Sequence, residues 1–169
     1  MSSNITVRYA DRSSEEAMRA DTRAISKLMV MNYRESGITE HLAPFDPTRC
    51  LQSIYETIRD GRVVLAFDGD ELIGGLGLVE FTIWYSSKTM LSERFFFIRP
   101  EYRQGEALRL ILREARAIAA ASDVALTLTI ANAHKRRPPR NGLERIGDVL
   151  SFFPRGSAYV VAPAEKAPA

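Results

Sequence analysis

The richest chemistry in the chain lies in Phe95-Phe96-Phe97-Ile98-Arg99-Pro100-Glu101-Tyr102-Arg103-Gln104-Gly105-Glu106-Ala107-Leu108, which reads as strand, turn and helix start. Amides in the first turn of a helix have no partners within the helix and sit at the positive end of its dipole, so they attract anions. A turn that adds Arg103 and the flexible Gly105, with little bulk at Gly105 and Ala107, forms a receptor for a diphosphate. Strand-turn-helix with one glycine is common in α/β proteins, so the spacing defines a chemistry without naming a ligand.

Gly74, Gly75 and Gly77 form a second glycine group, followed by Leu78-Val79-Glu80-Phe81, which continues a strand. A phosphate loop needs a helix after its glycines, so these read instead as sites of a bulge or a close backbone approach. Cys50, His41 and His134 are far apart in sequence, and no metal site is expected. His134-Lys135-Arg136-Arg137-Pro138-Pro139-Arg140 carries four permanent positive charges and no acid. It is either a solvated, proline-stiffened loop or a contact for an anionic partner.

The elements that must position these residues belong to one domain. The chain has 169 residues, with 23 Lys and Arg against 21 Asp and Glu, 46% hydrophobic residues and one Cys. Such a length buries roughly 70% of the surface of the unfolded chain, so a single core over 1–162 is expected, with a disordered tail at 163–169. A net charge of +2 speaks against nucleic acid as a partner. No apolar run approaches the ~20 residues that cross a bilayer. The start, Met1-Ser2-Ser3-Asn4-Ile5-Thr6, has neither a basic region nor an apolar one, so a cytoplasmic protein is expected.

A strand is expected at 5–8, then a helix to about Tyr33, with Ser13 and Glu16 forming its capping box. Asp46-Pro47 opens a second helix, whose stripe of Leu51, Ile54, Tyr55 and Ile58 faces a core and which Gly61 ends. Strands at 63–67 and 72–81 flank Asp68-Gly69-Asp70, a hairpin signal, and a third strand spans 90–98. A long helix over 105–122, a strand at 125–130, a short helix at 141–146 and a final hairpin of 149–153 with 158–161 complete the chain.

Ile98-Arg99-Pro100-Glu101-Tyr102-Arg103, leading into a glycine-bearing turn and a helix, resembles the motif of the GNAT superfamily of acyl-coenzyme A dependent N-acetyltransferases. The element order is similar over nearly the whole chain, and the spacing from the Pro47 helix to Glu93 looks most like small phage and bacterial members. The resemblance implies an α/β (α+β) GNAT fold with a mixed central sheet of about six to seven strands flanked by helices. It implies acetyl-CoA as co-substrate, with no metal, bound by the backbones of Phe97 and Ile98 and by Arg103, Gln104, Gly105, Glu106, Ala107 and Leu108. The family pattern places its basic residue where this chain has Tyr102, and Arg103 follows one position later, so the turn is one residue shorter than usual.

Direct attack of an amine on a thioester requires that the two be held together and that a proton be removed. Glu93, on the strand that carries the acyl group in this family, is the first candidate base. At strand period it shares a face with Phe95 and Phe97, an apolar setting that raises a carboxyl pKa; the alternative is an ion pair with Arg94 or Lys88. Glu80 on the neighbouring strand is the second candidate. Leu143 and Asp148 stand where many members have a tyrosine acid and a phenylalanine, and Tyr159 is the candidate replacement for the acid. Phe81, Trp84 and Tyr85 either line a substrate mouth or fill a core. In the loop between the first two helices, which closes over the acceptor in this family, lie His41 and Phe45.

The expected function is therefore transfer of an acetyl group from acetyl-CoA to a primary amine of a protein, peptide or small molecule. The alternative is a catalytically impaired GNAT-fold protein that binds a partner through residues 134–140. A homodimer is expected only by analogy with other proteins of this fold.

Overall fold

The computed structural model describes residues 4–35, 44–129, 144–146 and 149–152, the last two groups by their backbone. The chain starts with β1 (Ile5–Tyr9), α1 (Glu15–Glu35) and α2 (Pro47–Asp60), followed by three long strands, β2 (Arg62–Asp68), β3 (Glu71–Thr82) and β4 (Thr89–Ile98). A 3-10 turn (Pro100–Tyr102) leads into α3 (Glu106–Ser122), and β5 (Ala125–Thr129), β6 (Glu144–Ile146) and β7 (Val149–Phe152) follow. All seven strands join one sheet in the order β1-β2-β3-β4-β5-β7-β6. Among the described strands only β4 and β5 run parallel, because α3 carries the chain back across the sheet between them.

Local chemistry sets the ends of these elements. Asp46 caps α2 by accepting from the Arg49 N–H at 3.0 Å, with Pro47 in the first turn. The expected capping box at Ser13 is displaced by one residue: Ser13 donates its N–H to Asp11, and Ser14 Oγ accepts from Ala17 at 3.1 Å. The acceptor three residues before Ala17 is Ser14, so Glu16 has no reciprocal cap to make. Between β2 and β3, Gly69 takes a φ of 58° at the first central position of a two-residue loop, where hairpin turns of type II′ place glycine.

The sheet buries both faces. Against α3 pack Leu76, Leu78, Leu91 and Ile98 with Ile111, Ala115 and Leu126. On the opposite face α1 and α2 cover Leu65, Phe95 and Phe97 with Ile25, Leu28, Ile54 and Ile58. Apolar residues on both parities of β4 therefore reflect a strand covered on both sides.

Two expectations about the end of the chain change. Glu144–Ile146 is a strand paired with β7, where a short helix was expected. Strand β7 pairs with β5 on its other side, so its two neighbours are β5 and β6; 158–161, the expected hairpin partner, lies outside the described residues. Leu143-Glu144-Arg145-Ile146 is too short for helical periodicity to outweigh a neighbouring strand edge.

Gly75 and Gly77 of β3 lie beneath the Phe95 ring of β4, and Gly74 lies against Ile98. A Cβ at Gly77 would stand 2.4 Å from the Phe95 ring. Gly77→Ala is expected to lower stability by about 1–3 kcal/mol through overpacking. Combining it with Phe95→Leu should cost less than the sum of the two single changes in urea unfolding, whereas simple additivity would contradict this packing.

Candidate active site

Strand β4 carries an irregularity that decides the rest of the site. Its register with β3 runs Gly77↔Phe95 and then Leu78↔Glu93, so Arg94 is an extra residue with no partner on β3. The bulge changes which residues share a face. Leu91 packs on the α3 side, whereas Phe95 and Phe97 pack on the side of α1 and α2. Glu93, opposite Leu78, belongs to the α3 side with Leu91, and the expectation that it shares a face with Phe95 and Phe97 is corrected. Glu80, opposite Leu91, lies diagonally from Glu93 on that same face and is exposed, at a separation of roughly 7–8 Å for such pairs.

The same region ends the pairing of β4 with β5. The rungs are Met90↔Ala125, Leu91↔Leu126 and Ser92↔Thr127, the last tied by Thr127 Oγ1 donating to the Leu91 carbonyl at 3.3 Å. Beyond it β4 continues to Ile98, while Leu128 and Thr129 pair only with β7. Glu93 is thus the first residue past the last rung, and 93–98 presents an edge inside the sheet that β5 does not cover. Arg99 donates its N–H to Ile73 of β3 at 2.9 Å, so by strand alternation the peptide groups of Ile98 and Phe96 turn to the open side and those of Phe97 to β3.

The turn after β4 is fixed from three directions. Arg99 pairs with Glu71, and Tyr102 donates its hydroxyl to Asp68 Oδ2 at 3.0 Å; that bond holds the phenol pKa above its ordinary value. Arg103 reaches back to donate from Nε to the Ile98 carbonyl at 2.8 Å, stacks 5.2 Å from the centre of the Phe97 ring and pairs through both terminal nitrogens with Glu35. Hydrogen bonding to Arg103 holds the Glu35 carboxyl below its ordinary 4.5. The turn is thereby clamped to the β2–β3 hairpin and to the end of α1.

Helix α3 then starts at Glu106, with Gly105 as its N-cap and no side chain capping its amides. A Cβ at Gly105 would find its nearest neighbour, the Tyr102 carbonyl, at an ordinary 3.6 Å. Glu106, the one acid of the first turn, is neutralised locally by Arg109 at 2.8 Å. Uncapped amides, an adjacent glycine and an open strand edge together fit a ligand with an anionic group and an extended amide chain.

On the α1 and α2 side of the bulge lies a cleft of about 300 Å³. Met29, Ile54 and Phe95 form its floor, and Tyr33 and Phe45, with ring centres 5.2 Å apart, form a wall. Asn32, Ser53, Cys50 and Arg94 complete it, and burial raises the Cys50 thiol above its ordinary pKa. Phe45 was expected near an acceptor and lines this cleft; His41, the basic run 134–140, Leu143, Asp148 and Tyr159 lie outside the described residues. Trp84 and Tyr85 fill no core: they are 93% and 71% exposed and stack edge to face at the end of β3.

Arg94 and Glu35 are among the site residues that sequence reasoning missed. Gly77 beside a bulky Phe95 was the available signal for the bulge, since such a ring demands a missing Cβ opposite it. Nothing local marks Glu35, whose contact with Arg103 spans 68 positions.

No family model matches the sequence, and no curated protein does. Solved structures do. An integron cassette protein, HFX_CASS3, from the mobile metagenome of Cole Harbour Salt Marsh is 18% identical, with a TM-score of 0.62 over 96% of this chain and 91% of that one. A possible acetyltransferase from Clostridium difficile 630 is 16% identical, with a TM-score of 0.54 over 77% and 82%. Aminoglycoside N-acetyltransferase AAC(6')-Iy in complex with CoA is 11% identical, with a TM-score of 0.53 over 76% of each chain. At these identities the likeness establishes the fold: the chain has the α+β fold of GNAT-type acetyltransferases. Among the described residues no helix is long and apolar enough to cross a membrane.

The Glu35 carboxyl titrates lower in the folded chain, so its pair with Arg103 adds stability above the ordinary carboxylate range and loses it as pH falls through the folded value. Glu35→Gln is therefore expected to unfold at lower urea than the parent at pH 7, with the difference closing as the solution is acidified. A pH-independent difference would show that the pair contributes only packing.

Proposed function

We propose that the protein is an acyl-coenzyme A dependent N-acyltransferase that uses acetyl-CoA and a primary amine. One observation carries this: among the described residues β4 loses β5 after Ser92 yet runs on to Ile98, leaving an open strand edge that leads to an uncapped helix N-terminus. The outward peptide group of Phe96 and the outward N–H of Ile98, whose carbonyl already accepts from Arg103, suit the amides of a pantetheine arm, and the amides of Gly105, Glu106, Ala107 and Leu108 suit its diphosphate. Arg103 and Gln104 flank that turn. Arg103 orders it through Glu35 and the Ile98 carbonyl, which supports a positioning role.

Acetyl-CoA supplies the activated acyl group, and the chain must bring an amine to it. The nitrogen bonds to the acyl carbon, the carbon–sulfur bond breaks and sulfur leaves as thiolate. Glu93, first past the last rung, is the proposed acceptor of the proton lost by the amine, with Glu80 behind it on the same face. Tyr159 remains the proposed proton donor to the thiolate, although thiolate leaves well enough that a dedicated acid is not required. The cleft at Arg94 opens on the other face of the same unpaired edge and is the proposed acceptor site.

Acetyl-CoA should raise the melting temperature, and Gly105→Glu, which adds bulk and negative charge at the helix start, should abolish the rise. Glu93→Gln should keep the thermal shift and lower transfer by about 10²–10⁴-fold. An undiminished shift in the Gly105 variant would overturn the phosphate site, and undiminished transfer in the Glu93 variant would overturn the base.

A further inference from the structure

The proposed acceptor cleft has a chemical character of its own. Among the described residues its lining contains no aspartate or glutamate, and the charged side chain there is Arg94, which the bulge places beside Phe95 on this face. Arg94 is exposed, and among the described residues no carboxylate forms an ion pair with it, in contrast to Arg99 and Arg103 a few positions on. Beside Arg94 stand the neutral Asn32 and Ser53, and the walls are aromatic. A volume of about 300 Å³ is at the small end for ligand pockets.

Each feature selects against one acceptor and for another. A polycationic amine meets a guanidinium that repels it and finds no acid among the described lining residues to receive its charges. A carboxylate finds in Arg94 a planar fork that matches its geometry with two parallel hydrogen bonds. Tyr33, Phe45 and Phe95 favour an apolar or aromatic body beside that carboxylate. The bulge also fixes how the two ends of such a molecule lie. Arg94 faces the cleft, whereas its neighbour Glu93 faces the other side of the same open edge, so a molecule held by its carboxylate has its amine free to reach that edge.

Resting on the acyltransferase reading above, we infer that the acceptor is a small amine carrying a carboxylate and an apolar or aromatic group, and that Arg94 is the residue that selects it. A free amino acid and the end of a short peptide share this chemistry and differ in the distance between amine and carboxylate.

The test measures thiol release from acetyl-CoA by the full chain with matched acceptors: L-phenylalanine, the dipeptide Phe-Gly, phenethylamine, which lacks the carboxylate, and spermidine as a polycation. Acetyl-CoA binding is measured in parallel by calorimetry. The carboxylate-bearing member should exceed phenethylamine in kcat/KM by about 10- to 100-fold, mainly through KM. L-Phenylalanine above Phe-Gly identifies a free amino acid, and the reverse identifies a peptide. Arg94→Ala should bring the ratio to phenethylamine near one, Arg94→Lys should restore part of it, and neither should alter acetyl-CoA affinity or melting temperature. A preference for phenethylamine or spermidine, a ratio that survives Arg94→Ala, or acetyl-CoA binding without transfer to either carboxylate-bearing acceptor would overturn the assignment. Failure to bind acetyl-CoA at all would instead overturn the acyltransferase reading on which it rests.

Discussion

One extra residue in β4 governs the architecture of the site. Because Arg94 has no partner on β3, the face of the strand inverts between Glu93 and Phe95, and pairing with β5 ends two residues earlier at Ser92. A bulge increases local twist and bends the strand that carries it. The result is a sheet that is continuous at one end and open at the other, where no described strand pairs with the outward peptide groups of β4. Unpaired backbone inside a sheet is costly unless something pairs with it. Here the opening leads directly to helix amides that also lack partners, so one elongated ligand with amides and phosphates can satisfy both.

The turn that joins these parts is held more tightly than an anion site alone would require. Arg99, Tyr102 and Arg103 each reach a different neighbour: Glu71, Asp68 and Glu35. These contacts join the turn to the β2–β3 hairpin and to the last residue of α1, which also borders the proposed acceptor cleft through Asn32 and Tyr33. Preorganisation of this kind lowers the entropic cost of ordering a binding loop. In the proposed function Arg103 therefore acts on the site through structure, and the backbone of Gly105 to Leu108 is left to receive the anion.

Much of the fold is legible in the sequence, for identifiable reasons. Asp46-Pro47 and Gly61 bracket α2 because capping is a local interaction, and Asp68-Gly69-Asp70 marks its hairpin because a positive φ favours glycine. The turn from Pro100 to Leu108 can be read because strand, turn and helix follow one another without a break. The position of Glu93 cannot be read in this way. Period-two alternation places it with Phe95 and Phe97, and only the pairing of Gly77 with Phe95 shows that the alternation is broken. Glu144–Ile146 is similar in kind, since three residues carry no periodicity and their conformation is set by the edge of β7. Contacts between distant segments, such as Arg103 with Glu35, leave no local mark in either partner.

The central claim is that the open edge of β4 and the start of α3 form one continuous binding surface. Amide hydrogen exchange at single-residue resolution, with and without the unreactive desulfo-coenzyme A, tests it directly. Added ligand should slow exchange at Phe96 and Ile98 and at the first-turn amides of α3 together, while the β3-facing amide of Phe97 stays unchanged. Protection at the helix start without any at Phe96 and Ile98, or protection confined to another surface, would contradict the account.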